Sequence, residues 1–141
     1  MNERRQGMKY TEHDFTIELE NKVKKIESDI TEFLDHMLNE NRPKFREKGL
    51  QFEAELDRSE NHPFTPGYTS SITTAIFDDD EEYFELYTIP IWKCQRYFLG
   101  ISTTKRIPGS KIVGELLEES INDIKLELNE YILEQLTESK N

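Results

Sequence analysis

The sequence predicts an α+β domain, an antiparallel four-stranded sheet flanked by two long terminal helices in the order α-β-β-β-β-α. Three observations carry that expectation. Apolar residues recur at steps of three and four near both ends, they alternate or cluster with β-branched residues in between, and turn-forming residues separate the segments.

The first helix is expected from about His13 to Asn39, where Leu19, Val23, Ile26, Ile30, Phe33 and Met37 line one face and Leu34 and Leu38 widen it. Thr11 with Asp14 three residues on resembles a capping box, and Asn39, Asn41 and Pro43 mark the stop. Glu18 with Lys22 and Glu20 with Lys24 are four-residue pairs in the favourable order. A basic connector, Arg42 to Lys48, follows.

Leu50, Phe52, Ala54 and Leu56 alternate with Gln51, Glu53, Glu55 and Asp57, the pattern of a strand with one wet face. Thr69 to Phe77 and Tyr83 to Ile91, joined by the acidic turn Asp78 to Glu82, read as a hairpin. Pro90 is expected to end that strand or hold it at a sheet edge, and Tyr97 to Thr104 supplies the fourth strand, with Gly100 as a candidate bulge. The second helix starts after Ser110 as N-cap, its face traced by Ile112, Val113, Leu117, Ile121, Ile124, Leu128, Tyr131, Ile132 and Leu136. Helices of this length are expected to overhang the sheet, and an overhanging apolar stripe must be covered by the other helix or by another copy of the chain, the latter being a homodimer.

At 141 residues the chain fits one domain. Residues 1–10 are expected as a disordered tail and 11–141 as a single α+β domain, with Met1 or Met8 as the biological start. No apolar run is long enough to span a bilayer, the N-terminal stretch lacks the apolar region of a secretory signal, and Cys94 has no partner for an internal disulfide. A cytoplasmic protein is expected, with no membrane partner.

Most catalytic classes find no support. His13, His36 and His62 include no helical pair, and no Cys-x-x-Cys run exists, so neither a metal nor a cofactor is expected. Asp78 to Glu82 lacks the spacing and the glycine of a calcium loop. Gly67-Tyr68-Thr69-Ser70-Ser71 is not a nucleophile elbow, and Cys94, although near Lys93 and Arg96, lies in a β-region where cysteine is ordinarily packed. The remaining enzymatic alternative is a hydrolase using strand carboxylates among Glu53, Glu55, Asp57 and Glu85. The leaning is toward a binding protein.

Charge is unevenly distributed. The net charge is −11, yet Leu86 to Gly114 holds no acidic residue and carries +5, leaving −16 for the rest. That stretch makes Trp92, Lys93, Arg96, Lys105 and Arg106 candidates for an anionic small ligand, or for nucleic acid, although the overall acidity disfavours the latter. On the expected second helix, Glu115, Glu119, Asp123, Glu127, Glu130 and Glu134 form an acidic stripe with Leu126 on the same side. Apolar residues rimmed by one sign of charge suit an interface with a basic protein. The leading expectation is therefore a non-enzymatic protein-protein interaction module of the adaptor, chaperone, immunity or inhibitor type.

Overall fold

In the computed structural model, which describes residues 7–80, 82–117 and 120–138, the chain runs β1 (Met8–Thr11), a 3-10 turn (Glu12–Asp14), α1 (Ile17–Arg46), β2 (Leu50–Arg58), β3 (Thr69–Asp78), β4 (Phe84–Phe98), β5 (Ile101–Ser102), β6 (Lys111–Leu116) and α2 (Ile121–Glu138). The class is α+β, but the sheet has six strands rather than four. Their order is β1-β6-β4-β3-β2, with β5 paired to β4, and every pairing is antiparallel.

Helix α1 follows the apolar stripe: Leu19, Val23, Ile26, Ile30, Leu34, Met37 and Leu38 are all buried. Its ends differ from the expected ones. Thr11 and Asp14 do form a capping box, but around the 3-10 turn; the N-cap of α1 is Thr16, whose hydroxyl accepts from the Leu19 amide. Pro43 lies inside the last turns, and the helix continues to Arg46. Burial outweighs the lost ladder bond there. Phe45 is fully buried with its ring stacked on Phe52 at 4.7 Å, and the buried Asn41 donates its amide to the Met37 carbonyl. Gly49, at φ +77°, then turns the chain into β2.

Strand β4 runs straight through Pro90. The register slips there, with Ser71 opposite Pro90 and Ser70 opposite Trp92, so Ile91 is an extra residue. A bulge of this kind lets the sheet accept a residue with no N–H to donate. The Ile91 carbonyl instead accepts from the Leu117 amide at 2.7 Å. Beyond the bulge β4 gains β6 as a second neighbour, from Trp92 opposite Leu116 to Tyr97 opposite Lys111. Leu99 and Gly100 make a tight turn into β5, so Gly100 is a turn residue and not a bulge.

The largest departure is at β6. Ile112 and Val113, expected to open the second helix, are in a strand, and α2 has 18 residues. Gly114 explains this. It lies opposite both Cys94 and Tyr10 beneath the Trp92 ring, where only a bare backbone fits. An 18-residue helix spans about 27 Å, so α2 does not overhang the sheet as expected and its share of the case for a homodimer falls away. Met8–Thr11, placed mostly in the expected tail, is a sheet strand, while residues 1–6 lie outside those described.

Both helices pack on one face of the sheet. Phe52, Ile76 and Glu85 form one cross-strand row; Phe52 meets Phe45 of α1, and Glu85 accepts from the Tyr131 hydroxyl of α2. Lys125 of α2 lies over the Phe33 ring of α1 at 5.5 Å. The opposite face carries Glu53, Glu55 and Asp57 on β2, with Phe84 and Leu86 about 60% exposed on β4.

Among the described residues, the buried layer contains one charged group. Glu27 of α1 accepts from Arg58 Nε at 3.0 Å and from the Tyr68 hydroxyl at 2.7 Å, which satisfies the carboxylate on both oxygens.

Candidate interaction surfaces

Two surfaces emerge, neither with the full set of residues that sequence pattern suggests. The acidic stripe is divided. Glu115 is in β6, and Glu119 lies outside the described residues. Glu127 is turned inward, accepting a short hydrogen bond from the Tyr87 hydroxyl, whose ring stacks on Tyr131 at 4.3 Å. Asp123 stands in the first turn, its amide held by the Ser120 hydroxyl.

The outer side of α2 keeps Leu126, Glu130 and Glu134 together and adds Leu133. Leu126 is 61% and Leu133 66% exposed, seven residues apart on one side of a helix whose other side buries Ile124, Leu128, Tyr131 and Ile132. Glu130, Leu133, Glu134, Thr137 and Glu138 line a shallow depression of about 370 Å³. Leu133 escapes a search by charge; its heptad spacing from Leu126 was the available signal.

The five basic-region candidates do not converge. Trp92 is fully buried, donates from Nε1 to the Pro63 carbonyl at 2.7 Å, and is surrounded by Tyr10, Phe15 and Phe64. It is a core residue and cannot stack on a ligand. Arg96, three residues from Lys93 along the strand, falls on the opposite sheet face and donates to the Ser110 hydroxyl at 3.0 Å. Lys105 and Arg106 are exposed in the loop between β5 and β6. Lys93 instead shares a groove of about 520 Å³ with Lys9, Tyr97, Leu99, Gly100, Gly109, Lys111, Val113 and Glu115. Lys9 and Lys111 reach Lys93 only through the pairing of β1, β6 and β4, a register that local pattern does not encode.

The strand carboxylates are split between the faces. Glu53, Glu55 and Asp57 lie exposed on the open side, where the Thr73 hydroxyl donates to Asp57 and a hydrogen bond and like charge from Asp57 raise the pKa of Glu55. Glu85 is on the helix-covered side, accepting from the hydroxyls of Tyr83 and Tyr131. Burial pushes the Cys94 thiol up to about 11, away from the thiolate a nucleophile needs. Among the described residues no group of three His, Cys, Asp or Glu side chains is placed to hold a metal ion, and no helix is long and apolar enough to cross a membrane.

The chain matches no protein-family model, and neither the curated proteins nor the solved structures contain a match to it.

Proposed function

We propose that this protein is a non-enzymatic interaction module of the adaptor, chaperone, immunity or inhibitor type, and that it engages its partner through the outer side of α2. The observation that carries the reading is the exposed pair Leu126 and Leu133, rimmed by Glu130, Glu134 and Glu138. Two leucines a heptad apart on a helix already anchored by its other side fit the helix-in-groove mode of recognition. The complementary partner has an apolar groove edged by Lys or Arg. Self-pairing of this face is disfavoured, because a two-fold arrangement would set the same carboxylates against one another.

The test is capture from host extract by the tagged full chain, alongside Leu126→Ser/Leu133→Ser and Glu130→Lys/Glu134→Lys. A protein held by the parent chain and lost by both variants supports the reading; a captured set that neither variant alters removes it.

A further inference from the structure

We infer that the groove at the β1-β6-β4 end of the open sheet face is a binding site for an elongated small molecule with an anionic group at each end and an apolar middle. Lys9, Glu115 and Lys93 form one cross-strand row on β1, β6 and β4. Lys111 lies on the same face four residues along β6, about 13 Å from Glu115 by strand rise. Between these charged ends the groove is lined by Val113, and Tyr97 stands opposite Lys111 at the far end.

The charge balance selects an anion. Glu115 is the only carboxylate among the lining residues, against three ammonium groups, and it is already engaged by Lys93 Nζ at 3.7 Å and the Gly7 amide at 3.3 Å. The local excess is therefore positive in a chain whose net charge is −11. That wider acidity repels an extended polyanion, which favours a short ligand confined to the groove over a nucleic acid. Its volume falls within the range typical of small-molecule sites.

The rim supplies a second, independent observation. Leu99 is held at φ 51°, a left-handed conformation that suits Gly or Asn, and its side chain is 84% exposed. Both the strain and the exposure of a large apolar side chain are costs at a turn position that asparagine would fill without them. Packing against a ligand at the Lys111 end of the groove gives that leucine a use.

The experiment is titration calorimetry on the full chain with a rod-shaped probe, biphenyl dicarboxylate with its carboxylates at opposite ends, and the matching monocarboxylate. The dianion is expected to bind in a salt-sensitive manner and the monoanion about tenfold more weakly, the size of one lost charge-assisted contact. Lys93→Gln and Lys111→Gln should each weaken the dianion by a similar factor, while Lys105→Gln/Arg106→Gln, outside the groove, should not. Because Lys93 pairs with Glu115 and its replacement can perturb the sheet, Lys9→Gln/Lys111→Gln gives the same reading from exposed positions. No binding by the parent chain, equal binding of both probes, or binding unchanged in Lys9→Gln/Lys111→Gln each overturns the assignment.

Discussion

The Trp92 ring lies against the Gly114 backbone so closely that a methyl group added there would meet Cη2 at 2.3 Å and Cζ2 at 2.6 Å, with Phe15 Cε1 at 3.2 Å. The indole is fully buried among aromatic rings and has no room to retreat. Gly114→Ala is expected to cost about 1–3 kcal/mol through overpacking. Trp92 is the only tryptophan, so its emission should move to the red in the native state while the urea midpoint falls. An unchanged midpoint would mean that the core yields more easily than this contact implies.

Replacing Glu27 tests the buried polar cluster. In Glu27→Leu the Tyr68 hydroxyl loses its acceptor in a dry environment, whereas Arg58, 44% exposed, can turn toward water. The expected loss is about 1–3 kcal/mol, most of it from the stranded hydroxyl. Adding Tyr68→Phe to Glu27→Leu should restore part of it, which a double-mutant cycle by urea unfolding would measure.

Alkaline pH should weaken the fold from about pH 9 upward. Burial, then the bond to Glu27, raises the pKa of Tyr68; burial, then the charge of Glu85, raises that of Tyr131; and burial holds the Cys94 thiol at about 11. All three are acids whose folded pKa exceeds the unfolded one, so the unfolded chain releases its protons first and stability falls as pH rises. Each contributes at most about 1.4 kcal/mol per pH unit between its two pKa values. Urea midpoints measured from pH 8 to 11 should decline with the onset at the thiol and steepen above pH 10. A flat profile would contradict the burial of these groups.

Cys94 should also resist alkylation by iodoacetamide near neutral pH until the protein is unfolded, since its thiol is buried and donates to the Phe64 carbonyl. Labelling that keeps pace with a free thiol in native buffer would show that the Phe64 loop opens readily.

On α2, Leu126→Ser and Leu133→Ser should each leave stability within about 0.5 kcal/mol, because both side chains are solvent-exposed. Leu128→Ala, two positions from Leu126 but fully buried, should cost about 2–5 kcal/mol. Thermal melts of the three variants separate the face that holds α2 from the one it presents.

Sequence pattern is most informative where period and burial coincide. The α1 stripe, the alternation of β2 and the β3–β4 hairpin are all readable this way, because each is a long segment with one dry side. Strand β6 is not. Ile112, Val113 and Leu117 fit a helical period as well as a strand, and the one contrary signal, Gly114, acquires its meaning only from an indole twenty-two positions earlier in the chain. Strand β1 has four residues, one of them half-buried, and so shows no period at all. The lysine groove is hidden for the same reason as these two strands: it is assembled by their pairing. Of the α2 surface, Leu126, Glu130 and Glu134 are visible in the sequence as a rimmed face, whereas the inward turn of Glu127 depends on Tyr87, forty residues away.

Glu27 has a consequence for alignment as well as for energy. Apolar residues that repeat every turn leave a helix nearly indifferent to sliding by one turn, about 5.4 Å, along the surface it covers. The α1 stripe is of that kind, with many near-equivalent seats against the sheet. Only one of those seats brings the Glu27 carboxylate to Arg58 and Tyr68 together; every other would leave a charge in a dry layer without a partner. One acidic side chain thus joins the Phe45–Phe52 stack and the short turn into β2 in setting where along its own axis α1 comes to rest.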